Sequence, residues 1–422
     1  MGERVRVTGR VGTGAAGIVR RLLGWRPRAL LAGWVVVMSL GLSACSASLS
    51  PAGSSLPGST PATIPTVAPS GAPASPAASA PATSAPATSA PATAGPTPAG
   101  PPSPVPTPTP PTAAVRLALD WTPNTNHSGF YVAQARGWYG EAAIDLKLLP
   151  YTSATPETLL AAGQAECGIS FQDSLTFAVA AGAPITSVMA ILQHSASAIA
   201  VLDSGDIRSP RDLDGKTYGG FGYPADDPTI KVVIKHDGGK GVFKDVTLNA
   251  SAYEALYAKQ VDFTIVFTGW EGIEAQERGI ALRYFRAIDY GFPDYYQVVL
   301  ACNTDWLKAN PDVARRFLAA TVRGFELAQA YPDEAAASLV AQNPGLFDTS
   351  PKLPLESARY MSSQHYYLDA QGRVGPQTLE QWTAYSGFLY REGLLADVNG
   401  KPLVAPPDYS TLFTNDYLPT GP

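Results

Sequence analysis

Apolar positions beyond residue 114 repeat first with the period of a strand and then with that of a helix. Val115, Leu117 and Leu119 alternate with polar or small residues, which predicts a half-buried strand. A second strand signal at Ile144–Leu149 is followed by Thr155-Pro156-Glu157, a typical helix start with an N-cap and a first-turn proline. Because such units repeat along the chain, we predict an α/β fold in which helices cover parallel sheets.

Two lobes are predicted from a central unit that the chain enters and leaves through short apolar strands, at 198–202 and 298–301. We assign residues 115–202 and 297–422 to the first lobe and residues 203–296 to the second. Two lobes joined by a two-strand hinge enclose a central cleft, which can close around a ligand.

The first 44 residues have the features of an export signal. Seven arginines precede an apolar stretch at 29–42, which is shorter than the roughly 20 residues of a membrane-spanning helix. The stretch ends in Leu42-Ser43-Ala44-Cys45, which resembles a bacterial lipobox, where the signal is cleaved before an acylated cysteine. We therefore predict a signal peptide at 1–44 and a lipid anchor at Cys45, on the extracytoplasmic face of the cell membrane. Arg20-Arg21 leaves the choice between the Sec and the twin-arginine export route open.

Residues 45–114 are a run of proline, alanine, serine and threonine, and no charged side chain follows Cys45 before Arg116. Such a composition cannot bury enough apolar surface to offset the entropy lost on ordering. We predict a disordered tether that holds the folded part away from the membrane.

The exported chain is acidic. The whole chain has 30 basic and 35 acidic residues, and the predicted signal removes seven arginines and one glutamate, which leaves a net charge of about −11. Nucleic acids and anionic membrane surfaces bind clustered lysine and arginine. We therefore expect no nucleic acid partner.

A motif at 120–127 combines ring faces with hydrogen-bonding groups at the turn between the first strand and the next helix. In open α/β sheets such turns lie at the carboxyl ends of the strands, where ligands bind. The motif therefore indicates a pocket for a small, flat, polar molecule. The alternative is a well-capped turn with Trp121 in the core.

Other turns between predicted strands and helices also carry aromatic rings and hydrogen-bonding side chains. Few lysines or arginines fall in these segments, which argues against nitrate, sulfonate or phosphate as the ligand. About half of the aromatic residues are expected to line the cleft and the others to pack in the core. Of Asp226 and Asp227, we expect one to cap the helix that begins near Pro228 and the other to face the ligand. The candidate ligand contacts are Asp120, Trp121, Asn124, Asn126, His127, Phe171, Gln172, Gly220, Phe221, Asp226, Trp270, Glu271, Tyr295 and Tyr296.

Several of these motifs together resemble one protein family. The segments at 120–127, 168–171, 212–222, 269–273 and 293–296 are similar to those of the thiamine-pyrimidine-precursor (ThiY/RibY-like) family of ABC-importer solute-binding proteins. The likeness extends over the chain from residue 115 onward. It implies a two-lobed, type II-like periplasmic-binding fold, a membrane permease as partner, and a monomeric binding protein.

The family also includes a yeast pyrimidine synthase, and two departures separate this chain from it. The synthase has a lysine and a histidine just after the segment equivalent to Gly168-Ile169, where this chain has Ser170 and Ser174. It also has a run of cysteines where this chain reads 292–296 without one. The four histidines show no metal-ligand spacing. We therefore expect a binding protein without catalytic residues, cofactor or metal, and keep a synthase-like enzyme as the alternative.

The resemblance places the ligand among flat heteroaromatic vitamins and their precursors. We favour riboflavin because the many rings suit a three-ring isoalloxazine, and because Asp226 stands where ThiY-like receptors have a longer glutamate. The thiamine pyrimidine precursor is the alternative. The sequence also leaves open whether Cys167 and Cys302 are joined.

Overall fold

The computed structural model describes residues 110–248 and 251–420. The predicted signal peptide, Cys45 and all but the end of the predicted linker lie outside these residues. The linker prediction overlaps the first strand by its last two residues, because that strand begins at Ala113. The strands of the described part are β1 Ala113–Ala118, β2 Ile144–Leu149, β3 Cys167–Ser170, β4 Ile185–Ala190, β5 Ser197–Leu202, β6 Thr217–Gly220, β7 Lys244–Thr247, β8 Phe263–Phe267, β9 Leu282–Phe285 and β10 Val299–Asn303.

Helices alternate with these strands and then dominate the carboxyl-terminal third. No helix in the described ranges is long and apolar enough to cross a bilayer. The helices are α1 Ser128–Ala135, α2 Trp138–Glu141, α3 Pro156–Ala161, α4 Gln172–Ala180, α5 Asp226–His236, α6 Ala252–Tyr257, α7 Glu271–Glu277, α8 Thr304–Ala309, α9 Pro311–Ala330, α10 Pro332–Gln342, α11 Leu353–Ser363 and α12 Leu379–Arg391.

The first sheet has the strand order β2-β1-β3-β10-β4. β1 is parallel to β2 and β3, while β10 runs antiparallel between β3 and β4. Its core includes Leu117, Ile169 and Leu300, on which Phe317 and Phe325 of α9 pack. The carboxyl ends of β1 and β3 therefore lie side by side at one edge.

The second sheet repeats this arrangement with the order β7-β6-β8-β5-β9. β6 is parallel to β7 and β8, while β5 runs antiparallel between β8 and β9. Ile199, Tyr218, Ile230, Val233 and Phe263 form its core together with α5. The predicted α/β fold with two lobes is confirmed.

The boundary predicted between the lobes is corrected at residue 202. β5 pairs with β8 and β9, so Ser197–Leu202 belongs to the second sheet and not to the first lobe. The polar break at 203–206 suggested the boundary, but it is a turn inside the second lobe, where Asp203 pairs with Arg283 of β9 at 2.5 Å. The chain crosses between the sheets at 191–196 and again at 286–298. Neither segment is a strand, and the second contains a 3-10 helix at Ala287–Tyr290.

Helix α9 anchors the first lobe. It begins at Pro311 after Asn310 and carries a long apolar face into the core. α1 crosses α9 at a pair of glycines, where Gly324 meets the carbonyl of Gly129 so closely that a Cβ on Gly324 would lie less than 3.0 Å from it. Since α1 follows directly after the 120–127 motif, this crossing fixes the direction in which the chain leaves the motif.

Helix α12 packs across the first lobe and the crossing segments. Trp382 is fully buried, and its ring stacks on Phe413 with centroids 5.9 Å apart. One turn later, Tyr385 and Phe388 pack on Phe292 of the second crossing segment. The carboxyl-terminal part of the chain therefore covers one side of the cleft between the sheets.

Candidate functional site

A cavity lies between the two lobes, at the carboxyl ends of four parallel strands. β1 leads into Asp120 and Trp121, β3 into Phe171, β6 into Phe221, and β8 into the segment before Glu271. Crossing-segment residues and α12 complete its wall. Carboxyl ends of strands are the expected place for a ligand in an open α/β sheet.

Nine of the residues that line the cavity are aromatic, and they come from both lobes. Phe171 of the first lobe approaches Phe267 and Tyr223 of the second, with ring centroids 6.3 and 6.5 Å apart. Trp121 packs on Tyr151 at 5.1 Å, and Tyr151 is 45% exposed. The rings that line the cavity are Trp121, Phe171, Phe221, Tyr223, Tyr253, Phe267, Trp270, Tyr295 and Tyr385. Such a wall suits a planar ligand, because stacked or edge-on rings gain about 0.5–1.5 kcal/mol beyond area burial.

Four carboxyl groups share this cavity: those of Asp120, Asp173, Asp226 and Glu271. None of the described residues that line it is a lysine, arginine or histidine. An unneutralised carboxylate in a closed cleft needs hydrogen-bond donors or positive charge from a partner. The cavity is therefore complementary to a ligand that donates hydrogen bonds or carries positive charge.

Asp226 is the first residue of α5 and does not cap it. The N-cap position is Ala225, which has no capping side chain, and Asp227 instead pairs with Lys231 one turn along the helix. The sequence expectation that one of the two aspartates caps this helix is therefore wrong. The Asp226 carboxyl accepts a hydrogen bond from the buried Tyr218 hydroxyl at 2.7 Å. Burial raises the pKa of Asp226 to about 7, and the nearby Asp173 carboxyl adds to the shift.

Glu271 opens α7 with its side chain almost completely buried, at 6% exposure. Its carboxyl accepts a hydrogen bond from the Phe267 backbone N–H at 3.0 Å. Burial raises the pKa of Glu271 to about 7, although this hydrogen bond opposes the shift. A buried carboxyl without a cationic partner lowers stability, and such groups concentrate at functional sites.

Replacing Glu271 with glutamine should stabilise the protein only above acidic pH. Below about pH 4.5 the carboxyl is protonated in both the folded and the unfolded chain, so the two proteins should be equally stable. As the pH rises toward 7, the unfolded chain loses this proton first, and the wild type loses stability. Above pH 7 the variant should therefore be more stable by about 3 kcal/mol. Urea unfolding of both proteins across this range is the measurement, and a constant difference at every pH would contradict the assignment.

The 120–127 turn is both well capped and part of the cavity wall. The Asn124 side-chain oxygen accepts from the Asn126 backbone N–H at 2.9 Å, and the Asn124 amide donates to the Thr122 carbonyl at 3.0 Å. Trp121 nevertheless lines the cavity and is not a core residue. Asn126 also lines it, and its side-chain amide has no hydrogen bond among the described residues. The two interpretations of the motif are therefore compatible.

Ten of the fourteen candidate contacts come together in the cavity, and His127, Gln172, Gly220 and Tyr296 do not line it. Gln172 is fully buried, where its amide group bonds to the Tyr296 backbone N–H and to carbonyls of α12. Tyr296 packs on Trp382, and its hydroxyl accepts from the Thr378 N–H. The Tyr218 ring occupies the space beside the Gly220 Cα. His127 lies behind Asp120, which it contacts through Nε2.

Some cavity residues were not among the sequence candidates. Ser195, Ser197 and Gln297 lie on or beside the crossing segments, and the hinge prediction was a signal that could have found them. Asp173 follows Phe171 by two residues in the first turn of α4. Tyr385 has no local signal, because only the packing of α12 brings it to the cavity, where its hydroxyl donates to Asp173 at 3.4 Å.

The sequence matches a known family. The family model described as NMT1/THI5 like covers residues 124–335, half of the chain. This range begins inside the 120–127 motif and contains both crossing segments and all but one of the cavity-lining strand ends. It confirms the resemblance found in the sequence motifs.

Individual relatives include binding proteins and an enzyme. The formylaminopyrimidine-binding protein of Halalkalibacterium halodurans is 27% identical over 304 residues, 71% of this chain and 90% of that protein. The riboflavin-binding protein RibY of Chloroflexus aurantiacus is 26% identical over 342 residues, 76% of this chain and 93% of that protein. The 4-amino-5-hydroxymethyl-2-methylpyrimidine phosphate synthase THI5 of Saccharomyces cerevisiae is 25% identical over 323 residues, 73% of this chain and 88% of that protein.

Solved structures share the fold. The periplasmic nitrate-binding protein NrtA from Synechocystis PCC 6803 superimposes with a TM-score of 0.57 at 14% identity, covering 72% of this chain and 87% of NrtA. The two five-stranded sheets with a cleft between them are thus those of a periplasmic-binding fold. With its motif, its cleft and the matching family model in agreement, the chain belongs to the NMT1/THI5-like family.

Proposed function

We propose that this protein is the substrate-binding component of an ABC importer and captures a flat heteroaromatic vitamin or precursor. The observation that carries the proposal is the interlobe cavity, where rings from both lobes surround four carboxyl groups. Rings from both lobes would sandwich a planar ligand, so that binding favours the closed form. The membrane permease would then recognise the closed, ligand-bound form of the receptor. The receptor works as a monomer.

Binding rather than catalysis is supported by two observations. Two of the relatives named above are binding proteins, although the yeast relative is a synthase. Ser170 and Ser174 stand where the synthase has its lysine and histidine, and Ser170 bonds to the Glu157 carboxyl.

Within this ligand class, the charge of the cavity favours an aminopyrimidine over riboflavin, the ligand that the sequence favoured. An aminopyrimidine offers an amino group that donates hydrogen bonds to carboxylates, and a basic ring nitrogen that donates as well once it is protonated. The dioxo edge of an isoalloxazine presents two carbonyl oxygens, which repel carboxylates, and only one N–H donor between them. Riboflavin remains the second candidate because nine aromatic rings line the cavity, and stacking on several of them suits a three-ring isoalloxazine.

Replacing Trp121 with alanine is expected to weaken ligand binding by about tenfold, because a stacking contribution near 1 kcal/mol adds to lost apolar burial. The mature protein should be titrated with formylaminopyrimidine and with riboflavin, with the tryptophan fluorescence as the signal. Trp138→Ala is the matched control, because Trp138 packs under Arg323 on the surface of the first lobe and should leave the affinity unchanged. Tight binding of riboflavin alone would reverse the order of the two ligands, and binding of neither would overturn the ligand class.

We propose that the protein is exported and held at the extracytoplasmic face of the membrane by an acylated Cys45. Disulfides persist in oxidising compartments, and the buried Cys167 and Cys302 are joined by one. Cys45→Ser should move the protein from the membrane fraction into the soluble extracytoplasmic fraction, as an immunoblot of the two fractions would detect. Ser48→Ala, three residues further on, should remain with the membrane. Equal membrane retention of the Cys45 variant would rule out the lipid anchor.

A further inference from the structure

His127 is fully buried behind the cavity wall, and both of its ring nitrogens are bonded. Nδ1 accepts a hydrogen bond from the Asn124 backbone N–H at 3.3 Å. Nε2 lies 2.8 Å from Oδ1 of Asp120. The ring therefore connects Asn124, which caps the short 3-10 helix Thr125–His127, to the Asp120 carboxyl group, which lines the cavity.

The two contacts determine the tautomer of the ring. A backbone N–H can only donate, so Nδ1 must hold a lone pair and no proton. The proton of a neutral imidazole is then on Nε2, which donates to Asp120. A doubly protonated ring would turn Nδ1 into a donor facing the Asn124 N–H, and this would break the turn. His127 is thus a neutral donor held in one orientation.

Asp120 has no other side-chain hydrogen bond among the described residues, and its side chain is only 5% exposed. One carboxylate oxygen is taken by His127, and the other is the one that remains for a ligand in the cavity. Because the histidine is a donor, Asp120 can only accept from that ligand. The position beside Trp121 therefore demands an N–H or O–H group.

The Nδ1 contact is one half of a capping box at the start of this turn, and other hydrogen bonds hold the turn as well. Asn124 bonds to both sides of the turn through its side chain, and the Thr125 carbonyl accepts from the Tyr367 hydroxyl at 2.8 Å. The second lobe has a parallel arrangement, in which the buried Tyr218 hydroxyl donates to Asp226. Each lobe thus presents a carboxyl group that one buried neutral donor orients toward the cavity.

We infer that His127 is a positioning residue for ligand specificity, which aims the Asp120 carboxylate at a hydrogen-bond donor of the ligand. This inference rests on the proposed function for the identity of the ligand, but its geometric part does not. A site whose buried acceptor is left unpaired rejects ligands that lack the donor far more strongly than a merely apolar pocket does. The His127–Asp120 pair would therefore select among flat heteroaromatic molecules of similar size.

A ligand-independent test is the tautomer itself. With 15N-labelled histidine, the imidazole signals of the full-length protein are recorded at neutral pH, and His127→Gln assigns the His127 signal among the four histidines. We expect a neutral ring with its proton on Nε2. A proton on Nδ1, or on both nitrogens, overturns the inference whether or not any probe binds.

Affinity for formylaminopyrimidine and for riboflavin is the second readout. His127→Leu removes both ring contacts and should weaken binding of the bound probe by about tenfold or more, as expected for a hydrogen-bonded charged group. His127→Gln can donate and accept in the same directions and should recover most of this loss. In an Asp120→Asn background, His127→Leu should change the affinity less than about twofold, because interacting residues are not additive.

The outcomes separate this inference from the proposed function. Additive losses in the double variant, or a glutamine variant as weak as the leucine variant, would assign His127 a purely structural role and overturn the inference. If the wild type binds neither probe, the proposed ligand class fails, and the tautomer then decides the orientation of Asp120 by itself. Thermal melting of each variant without ligand shows whether the variant is folded, so that a loss of binding caused by unfolding is recognised.

Discussion

Alanine at Gly324 is expected to lower the free energy of unfolding by about 3–5 kcal/mol, a large effect for one methyl group. The reason is that a Cβ at this position would overlap the Gly129 carbonyl, and two helix backbones must then separate. A flexible side chain could move aside, but backbone in the middle of a helix crossing cannot. The shift would also displace α1 and with it the 120–127 turn, so ligand affinity should fall together with stability.

Gly140→Ala is the matched control for this variant. Gly140 lies in α2. Apart from its chain neighbours and the backbone of its own helix, no atom lies within 4 Å of the Cβ that alanine would add. Alanine is a better helix former than glycine by up to about 1 kcal/mol, so this variant should be as stable as the wild type or slightly more stable. Urea unfolding compares the three proteins. If Gly324→Ala and Gly140→Ala have the same free energy of unfolding, α1 and α9 do not cross as closely as the structure places them.

Removing the disulfide with the pair Cys167→Ala and Cys302→Ala is expected to lower the free energy of unfolding by about 4–5 kcal/mol. The bond joins residues 135 positions apart, and a crosslink over so long a loop removes much entropy from the unfolded chain. It also ties β3 to β10, where the two cysteines lie directly opposite each other in the middle of the first sheet. Since β3 leads directly into Phe171, the loss should loosen one wall of the cavity as well.

Denaturant unfolding under oxidising conditions measures this effect, and reductant provides the comparison on the wild type. Cys45→Ser is the control, because it removes the third cysteine and leaves the paired two intact. Reduced wild type and the double alanine variant should unfold at similar denaturant concentrations. A double variant as stable as the oxidised wild type would contradict a structural role for the bond.

Local signals predicted most of the elements in the described part of the chain. Thr155 accepts from the Thr158 N–H and Pro156 opens α3, as the sequence pattern indicates. The strand at Ile144–Leu149 has the bounds that its apolar run suggests. Capping groups, prolines and side-chain periodicity act over a few residues, so these elements can be predicted from the sequence without knowledge of the fold.

Pairs of adjacent residues show what the local sequence does not predict, namely which side chain faces the cavity. Tyr295 and Tyr296 are equivalent as sequence, yet Tyr295 lines the cavity and Tyr296 is buried against Trp382. Gln172 follows a cavity ring and points away from it, toward carbonyls of α12. Which side of a segment faces a ligand depends on what packs on the other side, and that partner is more than 200 residues away for Gln172.

The sequence by itself determined the α/β class, the two lobes, the family and the presence of candidate side chains at the strand-end turns, because these follow from local periodicity and from motifs. Tertiary structure alone decided that β5 belongs to the second sheet, that Asp226 accepts from Tyr218 instead of capping a helix, and that α12 brings Tyr385 to the cavity. Strand pairing, burial and helix packing join residues that are distant in the chain. Their outcome depends on the free energy of the whole fold, which no local pattern contains.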